Sequence, residues 1–365
     1  MSNIHHCCLK TLSLVNFKNY DRGDFCFCPK INCLVGNNGT GKTNVLDAIY
    51  YLSMTKSSIN PADTQNIRYD ADFFVIQGEY QRDDTSESIY CGIKRGQKKV
   101  FRRNKKDCER LSEHIGLLPA VVISPADGNL ISGGSDERRK LINEVISQYN
   151  RNYLHDMIQY NRALEQRNAL LKQERAFNVE VLDLWSEQLV TAGNRVYQVR
   201  SEFCREIIPV FQQYYHDISG GGENVELVYS SQLHDNDFAT LLNEALEKDR
   251  IMQFTNVGVH KDDLLLRMNG LPVKKSASQG QQKTFLVALK LANFNFISRH
   301  GNITPILLLD DIFDKFDAMR VGRIIRLVAG EEFGQIFITD TGSERIERIL
   351  QETECIYQLH EIHNK

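Results

Sequence analysis

The sequence predicts an α/β protein whose nucleotide-binding head is split in the chain, with an α-helical lobe inserted between its two halves. Three observations support this prediction. A glycine-rich loop follows an apolar strand near the N-terminus, a second apolar strand ends in two aspartates near residue 310, and long stretches of helical spacing separate them. We expect the N-terminal half over 1–130, the helical lobe over 131–250 and the C-terminal half over 251–365.

The loop at Gly36–Thr43 reads G-N-N-G-T-G-K-T and matches the phosphate-loop pattern G-x-x-x-x-G-K-[ST]. An apolar strand, Ile31–Val35, precedes it, and apolar residues at helical spacing follow it at Val45, Ile49 and Leu52. A strand, a glycine-rich turn and a helix N-terminus together form an anion site, because the backbone N–H groups and the helix dipole favour phosphate.

Each residue type in this loop has a chemical reason to be there. The glycines permit left-handed backbone and close approach to a ligand. The pattern predicts Lys42 at the β- and γ-phosphates of ATP, as a catalytic residue, and the Thr43 hydroxyl at Mg²⁺. The predicted nucleotide contacts are Gly36, Asn37, Asn38, Gly39, Thr40, Gly41, Lys42, Thr43 and Asn44.

Composition narrows the class of protein. The 365 residues are 42% hydrophobic and 25% charged, as in ordinary globular proteins, with no bilayer-length apolar run and no signal peptide. We therefore expect a cytoplasmic protein without a membrane partner, and its nine cysteines reduced. No second ligand pair follows His5–Cys8, which disfavours a zinc site there. Because the net charge is −3, nucleic-acid binding requires a local basic patch.

Strands are predicted between Leu9 and Val35, with a turn at Lys18–Tyr20, and again at Phe73–Ile76, Ser88–Ile93 and Ala120–Ile123. The most basic stretch of the chain, with a turn predicted at Gly96-Gln97, contains Lys94, Arg95, Lys98, Lys99, Arg102, Arg103, Lys105 and Lys106. Charge alone leaves two interpretations open: a solvated hairpin whose lysines protect a sheet edge, or a contact with a nucleic-acid backbone.

Helical spacing continues over 136–175 and again from Val179 to Tyr215, which predicts a hairpin of two long helices. Gly193 and Pro209 are expected to kink or break the second helix. A strand and a short helix are predicted next, over Val225–Tyr229 and Phe238–Lys248.

The strand Pro305–Leu309 is wholly apolar and ends in Asp310 and Asp311, which is the Walker B pattern. A buried strand of this kind places Asp310 beside the Mg²⁺, either as a direct ligand or through water. Asp311 is then the candidate catalytic carboxylate that orients or deprotonates the attacking water.

A Ser-Gln-Gly-Gln turn at Ser278, Gln279 and Gly280 opens a predicted helix over Thr284–Phe296. This string matches the signature motif of ABC-type ATPases, so the head is predicted to be of the ABC type. In that class, Ser278 and Gly280 of one copy contact the γ-phosphate held by another, which implies an ATP-dependent homodimer. Asp317 matches the D-loop, and the end of the predicted strand Gln335–Thr339 occupies the place of the switch histidine, where this chain has threonine.

With these residues considered together, the chain resembles the RecF family, SMC-like ABC ATPases of bacterial recombinational DNA repair. The strings that carry the resemblance are Leu14–Tyr20, Gly36–Asn44, Ser124–Asp127, Arg138–Asn143, Gln166–Lys172, His260–Asp263, Ser278–Lys283 and Leu307–Asp311. Departures include Asp47 in place of the family's glutamate, and Asp314-Lys315-Phe316-Asp317 where the family has S-E-L-D. None of them removes a predicted metal or phosphate ligand.

The resemblance implies ATP-dependent binding of double-stranded DNA near single-strand gaps, weak ATP hydrolysis, and partnership with RecR and RecO in loading RecA. Charge suggests the candidate DNA contacts, which are Lys98, Lys99, Arg102, Arg103, Arg138 and Arg139.

Three alternatives remain open at this point. An ABC transporter ATPase shares the nucleotide motifs but does not account for the long helical hairpin. A longer-armed SMC-type tether needs far more heptad sequence than the insertion contains. A nucleotide-gated binding module without useful turnover is compatible with Asp311, since fast ABC enzymes commonly have glutamate there.

Overall fold

The structure is a computed structural model that describes residues 5–173, 179–313, 316–342, 344–353 and 355–363. The chain forms two compact units. The first unit contains the residues up to Asp127, His216–Gly220 and the residues from Thr284 onward; the second contains Gly128–Tyr215 and Gly221–Lys283. Residues 251–283 thus lie in the second unit, although the sequence grouped them with the head. No helix in the described ranges is long and apolar enough to cross a membrane.

The strands and helices are numbered along the chain. The strands are β1 Cys7–Phe17, β2 Tyr20–Cys26, β3 Ile31–Val35, β4 Phe73–Arg82, β5 Thr85–Lys94, β6 Val100–Arg103, β7 Lys106–Asp107, β8 Ala120–Ile123, β9 Val225–Ser230, β10 Asp263–Met268, β11 Leu271–Pro272, β12 Ile306–Asp310, β13 Ile336–Asp340 and β14 Tyr357–Glu361. The helices are α1 Lys42–Met54, α2 Asn129–Ser132, α3 Ser135–Ser147, α4 Arg151–Leu171, α5 Val179–Ser219, α6 Phe238–Glu244, α7 Leu246–Met252, α8 Val273–Ser276, α9 Gln279–Gly301, α10 Ala318–Ala329 and α11 Glu344–Gln351.

A parallel sheet in the order β14-β3-β13-β12-β8 forms the centre of the first unit. Every residue of β3 and β12 is buried, as expected for strands covered on both faces. Because the strands are parallel, the loops after β3, β8, β12 and β13 leave from one edge of the sheet, where ligands bind in open α/β folds. The predicted nucleotide motifs follow two of these strands.

A second sheet in the first unit is antiparallel and has the order β2-β1-β4-β5-β6-β7. Buried and less buried residues alternate along β4 and β5, as expected for strands with one face in the core. Buried residues of α1 belong to the same hydrophobic core as this sheet. The predicted turns at Lys18–Tyr20 and Gly96-Gln97 are confirmed, the second by a hydrogen bond from the Gln97 N–H to the Lys94 carbonyl.

In the second unit, α4 and α5 pair in antiparallel directions. The contacts are Arg200 Nε to the Tyr153 hydroxyl at 3.0 Å, Arg195 Nε to Asp156 Oδ1 at 2.9 Å, and Arg167 Nε to Ser186 Oγ at 3.1 Å. As the position along α4 increases, the position of its partner along α5 decreases, which is the signature of a helical hairpin. The predicted hairpin is therefore confirmed, while its link at residues 174–178 lies outside the described residues.

Two of the predicted helices are wrong in their continuity. The helix predicted over 136–175 is interrupted after Ser147, because the Asn150 side chain accepts a hydrogen bond from the Tyr153 N–H and caps a new helix, α4. The helix predicted over Phe238–Lys248 is likewise two helices, α6 and α7.

Helix α5 shows the opposite difference. It runs through Gly193 and Pro209 to Ser219 without ending. Ile207 and Phe211 on either side of the proline are buried, so tertiary packing offsets the backbone hydrogen bond that proline cannot donate. The helix ends at Gly220, whose φ of +88° is the left-handed conformation common after a helix C-terminus.

A small antiparallel sheet, β11-β10-β9, accompanies these helices, so the second unit is not purely helical. The interior of the second unit contains an ion pair between Arg200 Nη1 and Asp262 Oδ2 at 2.9 Å, and both side chains are 1% exposed. The Tyr229 hydroxyl donates to the same carboxylate oxygen at 2.5 Å, and Arg200 also donates to the Val259 carbonyl and to Asn143 Oδ1. This network joins α3, α5 and β9 to the turn before β10.

We expect Arg200→Met to destabilise the protein by about 3–5 kcal/mol, because it leaves the Asp262 carboxylate buried without its countercharge. Urea unfolding monitored by far-UV circular dichroism measures the change. The matched control is Arg195→Met, since Arg195 is half exposed in its pair with Asp156 and should cost less than about 1 kcal/mol. Equal effects of the two substitutions would contradict the prediction.

Candidate ATP site

The phosphate loop lies between β3 and α1, as the sequence predicts. Gly41 has a φ of +107°, and a Cβ placed there would meet the Asn19 side chain at 2.6 Å. Only glycine satisfies both constraints. Lys42 Nζ lies within the loop and donates to the carbonyl oxygens of Gly36 at 2.6 Å and Asn37 at 2.8 Å. The lysine is therefore placed inside the loop, where the phosphate-loop pattern predicts that a nucleotide phosphate would bind.

The turn between β1 and β2 supports this loop. Asn19 Nδ2 donates to the Thr40 carbonyl at 3.1 Å, and Asn44 Nδ2 donates to Asn19 Oδ1 at 2.7 Å. The Tyr20 hydroxyl donates to the Gly41 carbonyl at 3.3 Å. These bonds connect the turn to the backbone of Thr40 and Gly41 and to the Asn44 side chain, so the conformation of the loop is supported from outside.

A cavity of about 400 Å³ lies beside the loop, where the segments that follow β3, β13 and β14 come together. Its lining residues are Val35, Gly36, Asn37, Thr40, Thr341, Glu361, Ile362 and His363. The space adjoins the carboxyl edge of the parallel sheet, as expected for a ligand site in this architecture.

Asp310 ends β12 and is 7% exposed. Two hydroxyls donate to the same oxygen, Oδ1: Thr43 Oγ1 at 2.8 Å from the start of α1, and Thr339 Oγ1 at 2.8 Å from β13. The residues predicted as Mg²⁺ ligands, Thr43 and Asp310, are thus brought together from positions 267 residues apart in the sequence. Their contact joins the phosphate loop to the Walker B strand.

The chemistry of this pair fits a divalent cation. Burial raises the pKa of Asp310, and the hydrogen bonds from Thr43 and Thr339 oppose that rise. A bound cation would stabilise the carboxylate that burial disfavours. Because the Thr43 hydroxyl is the donor in its hydrogen bond with Asp310, the lone pairs of its oxygen remain available to a hard cation such as Mg²⁺.

Asp311 differs from its neighbour in exposure and in backbone conformation. It is exposed, and its φ of +47° is left-handed, which is uncommon for a residue other than glycine. Its backbone N–H donates to Thr339 Oγ1 at 2.9 Å. One carboxylate is thus buried against hydroxyls and the next faces solvent, which suits the two roles predicted for them.

The signature residues lie in the second unit and begin α9. The Ser278 N–H donates to Gln281 Oε1 at 2.8 Å, and the Gln281 N–H donates to Ser278 Oγ at 3.3 Å, which is a capping box. Gln279 and Gly280 form the first turn of a 23-residue helix, so their amides lie at its positive end. This arrangement suits an anion contact, as predicted.

Asp317, predicted in the D-loop, caps α10: its Oδ1 accepts a hydrogen bond from the Arg320 N–H at 2.8 Å. This hydrogen bond lowers the pKa of the Asp317 carboxyl. The departures from the family pattern at Asp314 and Lys315 lie outside the described residues.

The six candidate DNA contacts differ in the partners that the structure gives them. Lys99 pairs with Asp63 at 2.8 Å and lies over the Tyr51 ring, and Arg103 is bound to Glu87. Arg102 pairs with Asp107, but both side chains are well exposed, so the pair is weak and exchangeable. Lys98 is exposed in the turn before β6.

The two candidates in α3 have internal partners as well. Arg138 binds Asp263 through two hydrogen bonds, of 2.7 and 3.0 Å. Arg139 donates to Ser135 Oγ and to the Asp262 carbonyl, both at 2.7 Å, and burial lowers its pKa. These contacts tie α3 to the start of β10 and to the residue before it, so both arginines already have a structural role.

Sequence reasoning missed several residues that position the site. Asn19 and Tyr20 were assigned only to a turn, although the string that contains them was part of the family resemblance. Thr339 was noted for the histidine it replaces and not for its bonds. Asp127 follows β8 and pairs with Lys290 of α9 at 2.8 Å, and no local pattern predicts that contact.

The phosphate loop, the Walker B carboxylates on a non-adjacent parallel strand, and the signature turn on a long helix define the class as an ABC-type P-loop ATPase head. Comparisons with known proteins agree with this class. The family described as RecF/RecN/SMC N terminal domain matches residues 8–364. An Smc head domain of Pyrococcus furiosus shares the fold, with a TM-score of 0.57 at 15% identity over 98% of this chain and 94% of that chain.

Closer similarity identifies the branch of that class. The DNA replication and repair protein RecF of Phocaeicola vulgatus is 52% identical over 353 residues, covering 96% of this chain and 95% of that protein. A solved structure of the recombination mediator protein RecF with ATP, from the RecFOR pathway, has a TM-score of 0.86 at 29% identity and covers 93% of both chains. The chain belongs to the RecF family of DNA replication and repair proteins. The transporter alternative is thereby excluded.

We expect Asp310→Asn to raise the unfolding midpoint in EDTA by about 2 °C, because it removes a buried charge while keeping an oxygen for both hydroxyls. Mg²⁺ with ATP should raise the unfolding midpoint of wild type above its value in EDTA, because both bind the folded state. The Asp310→Asn variant should not show this increase. Differential scanning fluorimetry measures both effects. The control is Asp311→Asn, whose exposed carboxylate gives no such gain in EDTA; a lower midpoint for Asp310→Asn would refute the expectation.

Proposed function

We propose that this protein is an ATP-gated double-stranded DNA-binding protein of recombinational repair, which dimerises when it binds ATP and hydrolyses that ATP slowly. The observation that carries the proposal is the contact of Thr43 and Asp310 under the phosphate loop, in a chain of the RecF family. The contact supports binding of a cation with the nucleotide phosphates.

The ATP-bound species is proposed to be a homodimer. Each chain has a phosphate loop that can hold the γ-phosphate from one side, and a signature turn, Ser278–Gly280, whose helix N-terminus can receive it from the other. If the γ-phosphate is shared in this way, the dimer is stabilised by ATP and not by ADP, because only ATP has the shared group.

In this proposal, ATP hydrolysis depends on the two aspartates at the end of β12, Asp310 and Asp311. Mg²⁺ bound at Thr43 and Asp310 would supply charge stabilisation for the phosphates. Lys42 binds the γ-phosphate side of the loop, and Asp311 orients the attacking water from its exposed position. The shorter side chain of Asp311, compared with the glutamate of fast ABC enzymes, supports slow turnover, which keeps the dimer closed long enough to act.

The proposed DNA contacts are backbone contacts, which are independent of sequence and sensitive to salt. Among the six candidates, the exposure of Lys98 and Arg102 favours them over Lys99, Arg103, Arg138 and Arg139, whose partners are described above. Lys105 and Lys106, which follow β6 in the chain, are exposed as well. The bound DNA is proposed to be duplex, including junctions with single strands.

The partners follow from the family. A solved RecF structure is described as a recombination mediator of the RecFOR pathway. We therefore propose that RecR, together with RecO, binds this protein, and that the complex promotes loading of RecA at single-strand gaps.

We expect ATP, and neither ADP nor buffer alone, to convert the protein to a dimer that binds duplex DNA. The Lys42→Met variant should remain monomeric with ATP, because it lacks the ammonium group that is proposed to bind the γ-phosphate. Multi-angle light scattering and fluorescence anisotropy of labelled duplex measure the two properties. Asp311→Asn is the control, since it keeps the ATP ligands and should form a more persistent dimer. Dimers that do not bind DNA at any salt concentration would exclude the DNA-binding role and retain the ATP switch.

We expect the double variant Lys98→Gln, Arg102→Gln to bind duplex DNA about tenfold more weakly at low salt, with a salt-dependence slope lower by about 2. Its ATP-dependent dimerisation should be unchanged, because neither residue touches the ATP site. The matched control removes two exposed charges from the second unit, Arg205→Gln and Lys248→Gln. If the control weakens DNA binding as much as the test variant does, the basic stretch is not the contact surface.

A further inference from the structure

Thr339 is a polar residue at the end of an apolar, buried strand. It follows Ile336, Phe337 and Ile338 in β13 and is itself 1% exposed. Strand pairing places it directly opposite Asp310 on one side and Leu34, just before the phosphate loop, on the other. A buried hydroxyl at this point of the sheet needs partners, because an unpaired polar group in the interior costs stability.

Its partners are the two aspartates of the Walker B motif. The hydroxyl donates a hydrogen bond to Asp310 Oδ1 at 2.8 Å and accepts one from the Asp311 backbone N–H at 2.9 Å. A hydroxyl has one proton and two lone pairs, so a single threonine can make both contacts with the correct donor and acceptor roles.

The second contact acts on an unusual backbone. Asp311 has a φ of +47°, and a non-glycine residue stays in that region only where its surroundings hold it there. The direction of its exposed carboxylate depends on this conformation. The bond from its N–H to Thr339 fixes the backbone at the residue proposed to orient water.

The first contact acts on the cation side. Asp310 Oδ1 accepts from Thr43 and from Thr339, which approach from α1 and from β13. With both donors present the carboxylate has a defined orientation toward the phosphate loop. Among the described residues, removal of the Thr339 donor leaves this oxygen with the hydrogen bond from Thr43, the residue whose oxygen is proposed to bind the cation.

We propose that Thr339 is a positioning residue for ATP hydrolysis: its one hydroxyl orients the cation-binding carboxylate of Asp310 and fixes the backbone of Asp311. The inference rests on the proposed ATPase function. In this inference Thr339 acts through its contacts with the two aspartates and not through a contact with the nucleotide.

The test compares Thr339→Val, which keeps the volume and removes the hydroxyl, with Thr339→Ser, which restores it. Thr304→Val is the control, because Thr304 is also buried but lies before β12, at the opposite end of the sheet. Single-turnover hydrolysis of bound ATP, equilibrium binding of ATP with and without Mg²⁺, and the unfolding midpoint are measured for all of them.

For Thr339→Val we expect a 10- to 100-fold slower single-turnover rate, with ATP affinity in EDTA within about threefold of wild type. The gain in ATP affinity that Mg²⁺ gives should fall about fivefold. Thr339→Ser should recover most of both properties, and Thr304→Val should leave both unchanged. Serine rescue separates positioning from packing, since serine lacks the methyl group that fills the core.

A wild-type rate in Thr339→Val, or a serine variant as slow as the valine variant, would overturn the inference. If wild type itself hydrolyses no ATP, the proposed ATPase function fails. The effect of Mg²⁺ on ATP affinity then remains as the separate test of whether Thr339 positions Asp310. An unchanged Mg²⁺ effect in Thr339→Val would in that case overturn it.

Discussion

The candidate site depends on the burial of one carboxylate. Asp310 is held at the end of an apolar strand, where burial raises its pKa, and its Oδ1 is hydrogen-bonded by hydroxyls from two other elements. Those two bonds tie α1, β12 and β13 into one arrangement around the phosphate loop. A group that is costly to bury and is satisfied from several directions specifies a unique geometry, because a shift of either donor element removes one of its hydrogen bonds.

Buried arginines organise the second unit in the same way. Arg200 pairs with Asp262, and Arg167 Nη1 pairs with Asp249 Oδ2 at 2.7 Å; all four side chains are almost completely buried. Two of the strings that carried the family resemblance contact each other: Arg138 and Arg139 of the first bind Asp263 and Asp262 of the second. Arg200 bridges the same two strings through Asn143 and Asp262. Their distinctive residues are explained by internal pairing before any contact with DNA needs to be invoked.

Local patterns predicted the parts of this protein that local physics determines. The apolar runs before Gly36 and Asp310 identified two central strands, and the phosphate loop and the signature turn were recognised from their residue spacing. The interruption of the helix after Ser147 was missed because apolar spacing continues across it while only the Asn150 cap marks the break. The contacts of Asp127 with Lys290, of Arg138 with Asp263 and of Thr339 with Asp310 each join residues more than 25 positions apart in sequence, so no local pattern specifies them.

The charge distribution gives a physical reason for gating DNA binding through dimerisation. The chain has a net charge of −3, and two cations of its basic stretch, Lys99 and Arg103, are engaged by Asp63 and Glu87. In the proposed function, a single copy therefore offers few phosphate contacts, and its affinity for duplex DNA at physiological salt is low. In the same proposal, two copies joined through ATP present two such surfaces to one duplex, and the second surface binds at high effective concentration. ATP would then control DNA affinity without any change in the individual DNA contacts.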